Sequence, residues 1–174
     1  MKKDFPDIGE VTFEKLSREQ VPEAIELIYS VYQHEGIWID FTKTQIEEEI
    51  LSAFDNICYR PIFFVALFEG KMIGIASYME AHISSEAFEL SFGTILPEYQ
   101  RKGLGTWLIY LRLREIIEKE KNAVIFTRAR AGKLFEKFNF TYIYKVSDED
   151  DSVGSYDYMF CVAKDVDFNH LGIN

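Results

Sequence analysis

The chain has 174 residues, 48% of them hydrophobic and 16% aromatic, enough to bury the core of one domain unaided. Its formal net charge of −10 argues against broad nucleic-acid binding, which needs clustered Lys and Arg to displace phosphate counterions. No run approaches the roughly eighteen apolar residues of a membrane-spanning helix, and the start, Met1-Lys2-Lys3-Asp4-Phe5-Pro6, lacks the apolar stretch of a signal peptide. A cytoplasmic protein with no membrane contact is therefore expected. Cys58 and Cys161 lack the close spacing of a metal knuckle or redox pair and read as two reduced thiols. His34, His82 and His170 show no metal-ligand spacing, so no metal is assigned.

Val11-Thr12-Phe13-Glu14-Lys15-Leu16 alternates as a strand, and Ser17 then offers a cap to a helix with Val21, Ala24, Ile25, Ile28 and Tyr32 on its apolar face. Thr42 caps a second predicted helix carrying Ile46, Ile50, Leu51 and Phe54. Ile62 to Phe68 reads as a buried strand, joined by the turn Glu69-Gly70-Lys71 to a partner from Met72 to His82. A further antiparallel strand is expected from about Glu86 to Ile95, ended by Pro97. Leu104 to about Lys119 contains strong helix formers with apolar side chains on more than one face, the pattern of a largely buried helix.

Ala123 to Thr127 is short and rich in β-branched residues, as suits a central strand; Ala131 to Phe138 is helical, and Phe140 to Val146 and Tyr156 to Lys164 close the order β-α-α-β-β-β-α-β-α-β-β. The run Ser147-Asp148-Glu149-Asp150-Asp151-Ser152 reads as a solvated loop, with contact to a cationic substrate as the sharper alternative. No repeat or linker divides the chain. Residues 1–174 are expected to form a single domain, with a flexible tail from about residue 166.

Chemistry concentrates at Leu96-Pro97-Glu98-Tyr99-Gln100-Arg101-Lys102-Gly103-Leu104-Gly105-Thr106, where a strand ends and a long helix begins with two glycines one residue apart. The first helical turn has N–H groups without intrahelical partners, the helix dipole adds positive potential, and glycine lets an anion approach the backbone. Arg101 and Lys102 add charge there. The segment has neither the third glycine of a dinucleotide fingerprint nor the Gly-Lys-Ser/Thr end of a nucleotide-hydrolase phosphate loop.

In context this segment resembles the hallmark of the GNAT N-acetyltransferase superfamily, Gln/Arg-x-x-Gly-x-Gly/Ala after the fourth strand, here Gln100-x-x-Gly103-x-Gly105. The run Ala131-Gly132-Lys133-Leu134-Phe135-Glu136-Lys137-Phe138-Asn139-Phe140 is similar to the family's second signature, Ala-x-x-Leu-Tyr-Glu-Lys-x-Gly-Phe. The resemblance implies an α/β fold, layered as α+β, with a mixed, mostly antiparallel sheet of about seven strands flanked by about four helices. It implies acetyl-CoA as co-substrate and direct transfer of its acetyl group to an amine. The coenzyme would be held by Gln100, Arg101, Lys102, Gly103, Leu104, Gly105 and Thr106, with Ile95 and its neighbours pairing with the pantetheine arm. For that arm to bind as an added strand, the strand at Ala123 must splay from the strand ending at Ile95, with Gly93 as a bulge that opens the gap.

An acceptor amine is mostly protonated at neutral pH, so a base is required. Glu89 lies where the histone-acetylating branch of the family has its catalytic glutamate; Glu86 and Glu80 are weaker candidates. Where the second signature has a tyrosine that protonates the leaving thiolate, this chain has Phe135, which cannot donate a proton. Protonation of the leaving thiolate is then left to Tyr142, Tyr144, water or no specific group. Arg128 and Asn139 also depart from that signature. Arg128, Arg130 and Lys133 either meet coenzyme phosphates or face solvent. Trp38, with Tyr29, Tyr32 and Phe41 near it, falls where the family's first helices shape the acceptor pocket, or forms a helix contact.

The acidic balance favours a cationic small-molecule or peptide amine as acceptor. Two other classes stay open: an acyl-CoA-binding sensor that has lost turnover, motivated by Phe135, and an interaction protein in which the glycine turn is only structural. Abundant aromatic residues also allow a homodimer.

Overall fold

The computed structural model describes residues 1–36, 42–55, 59–146 and 155–172. Among them run strands β1 (Lys2–Phe5) and β2 (Gly9–Lys15), helices α1 (Val21–Glu35) and α2 (Lys43–Ser52), then β3 (Ile62–Phe68), β4 (Lys71–Glu80) and β5 (Ala87–Ile95). Helix α3 (Leu104–Lys119), β6 (Val124–Ala129), α4 (Gly132–Glu136), β7 (Thr141–Val146) and β8 (Tyr156–Val162) complete the order. Trp38, Phe41, Cys58 and the acidic run from Ser147 to Ser152 lie outside the described residues.

One mixed sheet holds all eight strands in the order β1-β2-β3-β4-β5-β6-β8-β7. Every neighbouring pair is antiparallel except β5 and β6. That pair is parallel because α3 carries the chain from the end of one strand back to the start of the next, the crossover that parallel neighbours require.

The period-two alternation of strand side chains divides the core into two layers. Phe64, Ala66, Phe88 and Leu90 pack on one face with Leu104, Leu108 and Leu113 of α3. Phe63, Val65 and Ile75 pack on the other with Ile28 of α1 and Ile46 and Ile50 of α2. The continuous apolar run Ile62–Phe68 follows from this burial on both sides. Thr42 caps α2 as expected, its hydroxyl accepting from the Gln45 N–H at 3.3 Å.

Three elements differ from the expectation. The edge strand β1 was not foreseen, because Lys2, Lys3 and Asp4 are exposed and give no apolar period; only Phe5 reaches the core. Helix α1 starts at Val21, after a 3₁₀ turn at Arg18–Gln20, rather than directly after Ser17. Helix α4 covers only Gly132–Glu136 of the predicted Ala131–Phe138. In the tail expected to be loose, Val166, Phe168 and Leu171 pack against the α3 layer. No helix of the described residues is long and apolar enough to cross a membrane.

Gly132 opens α4 directly against β8, where a Cβ would collide with the Asp157 carboxylate. Gly132→Ala should therefore make the Asp157 carboxylate turn aside and lower the melting temperature by a few degrees at most, the effect of about 1 kcal/mol in a chain of this size. Adding Asp157→Ala should recover most of the loss in a thermal melt; absence of recovery would refute the steric account.

Candidate active site

The site begins where the parallel pair parts. β5 and β6 are in register from Ala87–Val124 to Leu90–Thr127. Beyond that point β5 follows β4 to Ile95, while β6 follows β8 to Ala129. The register of β4 with β5 shifts between Ile75 and Ser77, where β5 spends one extra residue. This bulge sits where Gly93 was expected to form one, but the left-handed residue is its neighbour Phe92, at φ +50°. A non-glycine residue in that region costs about 1–2 kcal/mol, and the tilted contact of the Phe92 ring with Phe63, centroids 5.6 Å apart, helps to hold it.

Arg112 of α3 ties the bulge down from the other side. Its Nε donates to the Leu108 carbonyl at 3.0 Å, and its Nη1 donates to the Ser77 carbonyl at 3.0 Å and the Ser91 carbonyl at 3.3 Å. The side chain is buried, and that burial pulls the guanidinium down to about 9, so it remains cationic at neutral pH.

The parting leaves a cavity of about 920 Å³ between the two strands, α1, α3 and α4. At one end is the start of α3. Trp107 N–H donates to the Gly103 carbonyl at 3.3 Å, so the amides of Leu104, Gly105 and Thr106 precede the first intrahelical bond of α3. Arg101 at φ +60° and Gly103 at φ +92° bend the chain into this helix. A Cβ on Gly103 would lie 3.3 Å from the Phe5 ring, which makes the unforeseen β1 a wall of the turn. A Cβ on Gly105 would lie 3.3 Å from Leu134 and 3.5 Å from Ile95, so glycine keeps space open between α3 and β5.

Ile95, Gln100, Arg101, Gly103, Gly105 and Thr106 all line the cavity. Lys102 instead sets its ammonium 5.6 Å from the Tyr99 ring centroid, and the Leu104 side chain is core, leaving only its backbone to the site. The Gln100 amide donates to the Ile95 carbonyl at 3.1 Å and to Glu35 at 2.8 Å.

Past the bulge, Glu89 lies on the cavity wall, on the sheet face opposite Phe88 and Leu90. Arg128 places Nη2 3.4 Å from its carboxylate, with the two side chains 40% and 37% exposed. Glu80 and Glu86 do not line the cavity. Arg128, Arg130 and Lys133 all line it, so with Arg101 and Arg112 it is markedly cationic inside an acidic protein.

Phe135 is also on the wall, edge-on to Phe140 with centroids 5.4 Å apart. Tyr142 and Tyr144, expected as substitute acids, stand half exposed on the edge strand β7 and away from the cavity. The tyrosines that line it are Tyr32 and Tyr156. Burial raises the Tyr32 phenol above its ordinary range, while Thr94 beside it works against that shift. Of the aromatics named for an acceptor pocket, Tyr32 lines the cavity and Tyr29 does not. Tyr156, Glu35 and Arg112 were not singled out for the site from the sequence, because β8, the end of α1 and the third turn of α3 carry no local motif and reach it only through packing. His82 lies 5.0 Å from the Tyr59 ring and His170 4.6 Å from Phe138.

The arrangement fits an acyl-coenzyme A. Free amides at a helix start and nearby cations suit the pyrophosphate, and the separated strand edges suit an extended amide-bearing arm. The comparisons agree. Residues 60–142 match the family model of the acetyltransferase (GNAT) domain, a class that takes its acetyl group from acetyl-CoA.

Among solved structures, an N-acetyltransferase from Staphylococcus aureus Mu50 superposes with a TM-score of 0.68 at 15% identity, over 88% of this chain and 99% of that one. The ribosomal-protein-S18-alanine N-acetyltransferase of Escherichia coli gives 0.63 at 18% identity, over 86% and 90%. The PaiA N-acetyltransferase of Thermoplasma acidophilum, solved in complex with coenzyme A, gives 0.63 at 21% identity, over 87% and 98%. These likenesses show a shared fold. No curated protein matches the chain in sequence.

Acetyl-CoA at about a hundred times its dissociation constant should stabilise the folded chain by about 2.7 kcal/mol, read as a rise of several degrees in a thermal-shift titration. Gly105→Glu should abolish the rise by placing a carboxylate in the space between α3 and β5. It is a cleaner probe than Gly103→Glu, which would also strain a left-handed residue.

Proposed function

We propose that the chain transfers the acetyl group of acetyl-CoA directly to a primary amine, in a ternary complex, with Glu89 as the base. The observation that carries this reading is that one cavity has a helix start at one end and Glu89 on its wall past the β5 bulge. The arm of the coenzyme would enter from the α3 end and bring its thioester to the bulge. The amine would approach from the face that carries Glu89, lose a proton to its carboxylate and attack the thioester carbon. The carbon–sulfur bond then breaks, the coenzyme leaves as thiolate, and the second proton on nitrogen passes to that thiolate; at a thiol pKa near 8.5 it is an acceptable leaving group even without a dedicated acid. Tyr32 and Tyr156 stand on the same wall as proton donors in place of the hydroxyl that Phe135 lacks.

A cationic amine is the acceptor that the overall charge of −10 favours. The ribosomal-protein acetyltransferase among the similar folds shows that the scaffold serves a protein amine in that relative. For a homodimer, support comes from β7, one of the two edges of the sheet, with Tyr142, Ile143 and Tyr144 half exposed.

Glu89→Gln should lower kcat by about 10²–10⁴-fold, the usual contribution of a general base, while the thermal shift with acetyl-CoA persists. Steady-state assays on a panel of polyamines, aminoglycosides and peptide amino termini measure this. Wild-type protein that binds acetyl-CoA but acetylates nothing in the panel would favour the sensor reading that Phe135 motivates.

A further inference from the structure

Resting on the acyl-CoA reading of this site, we propose that the cleft also takes, as a second donor class, a short acyl group ending in a carboxylate, bound by Arg112. The carboxylate plays no part in the transfer; it anchors the far end of the acyl chain.

Arg112 is a buried cation that the reaction described above does not use. Its Nε and Nη1 are engaged by three backbone carbonyls, whereas Nη2 has no protein partner among the described residues. No carboxylate pairs with it there. A buried guanidinium held only by neutral carbonyls keeps an uncompensated charge, and it is the group best shaped to take a carboxylate. It also lines the cavity, so a bound molecule can reach it.

Its position identifies which part of the donor would do so. Ser91, whose carbonyl Arg112 binds, lies four residues before Ile95 on β5, about 13 Å from the phosphate-binding end at the usual rise per residue. That is the acyl end of an arm laid along β5. Glu89 faces the opposite side of the sheet from α3, on which Arg112 resides. An amine arriving beside Glu89 and an acyl chain pointing toward Arg112 therefore do not compete for space. Leu108 and Ile109, on the same wall, would enclose the methylene groups between thioester and carboxylate.

The test is a pair of donors of equal chain length, succinyl-CoA and butyryl-CoA, titrated by calorimetry into wild-type protein, Arg112→Met and Arg112→Lys. Wild type should bind succinyl-CoA about tenfold more tightly or better, as expected for a charge-assisted hydrogen bond formed in a buried site. The preference should fall to about one or invert in Arg112→Met. Using the ratio of the two affinities removes any general loss of cleft shape caused by releasing the bulge. Should Arg112→Met not fold, a reduced ratio in Arg112→Lys, which keeps the charge but not the fork, supports the assignment equally. A wild-type ratio of one or less overturns the proposal, as does a preference that survives both substitutions. If free CoA and acetyl-CoA bind while no preference appears, only this inference fails; if no coenzyme species binds, the underlying function fails with it.

Discussion

The parting of β5 from β6 after Leu90 and Thr127 is the constraint on which the rest of the site depends. Two parallel strands in mid-sheet ordinarily satisfy each other's backbone groups along their length, and leaving them apart exposes donors and acceptors that need partners. Here the separation follows from an extra residue in β5, from Phe92 held in a left-handed conformation, and from Arg112 supplying donors to the carbonyls of Ser77 and Ser91. The strain at Phe92 and the buried charge of Arg112 are local costs. The packing of α3 across β3, β4 and β5 is extensive enough to carry them.

The same geometry sorts the chemistry in space. Cations gather in the cavity of a chain whose net charge is −10, which favours an anionic ligand there. Within the cavity, the α3 start and Arg101 mark one end, and Glu89 with Arg128 marks the wall beyond the bulge. Gly105 keeps the passage between them open, since a side chain there would meet Leu134 and Ile95.

Much of this was legible in the residues. The buried strand Ile62–Phe68, the long helix after Gly103 and the Gln100-x-x-Gly103-x-Gly105 segment are local patterns, and each fell within a residue or two of its expected place. β1 escaped because an edge strand with one buried side chain has no apolar period. The bulge was placed correctly, but its left-handed residue was not: glycine is the usual choice at such a position, and only the contact of Phe92 with Phe63 explains the exception.

What the sequence determined by itself was therefore most of the order of elements, the buried strand Ile62–Phe68 and the position of a helix start suited to an anion, because these depend on neighbours within a few residues of one another. What only the tertiary structure decided was which side chains share the cavity. Tyr142 and Tyr144 carry the same hydroxyl as Tyr156 and were among the groups expected to serve, yet β7 is an edge strand and β8 lies beside β6, so Tyr156 reaches the wall. Arg112 is one more residue of a buried helix in the sequence; two of the three carbonyls it binds are 21 and 35 residues away in the chain, and a contact of that range leaves no mark in local pattern.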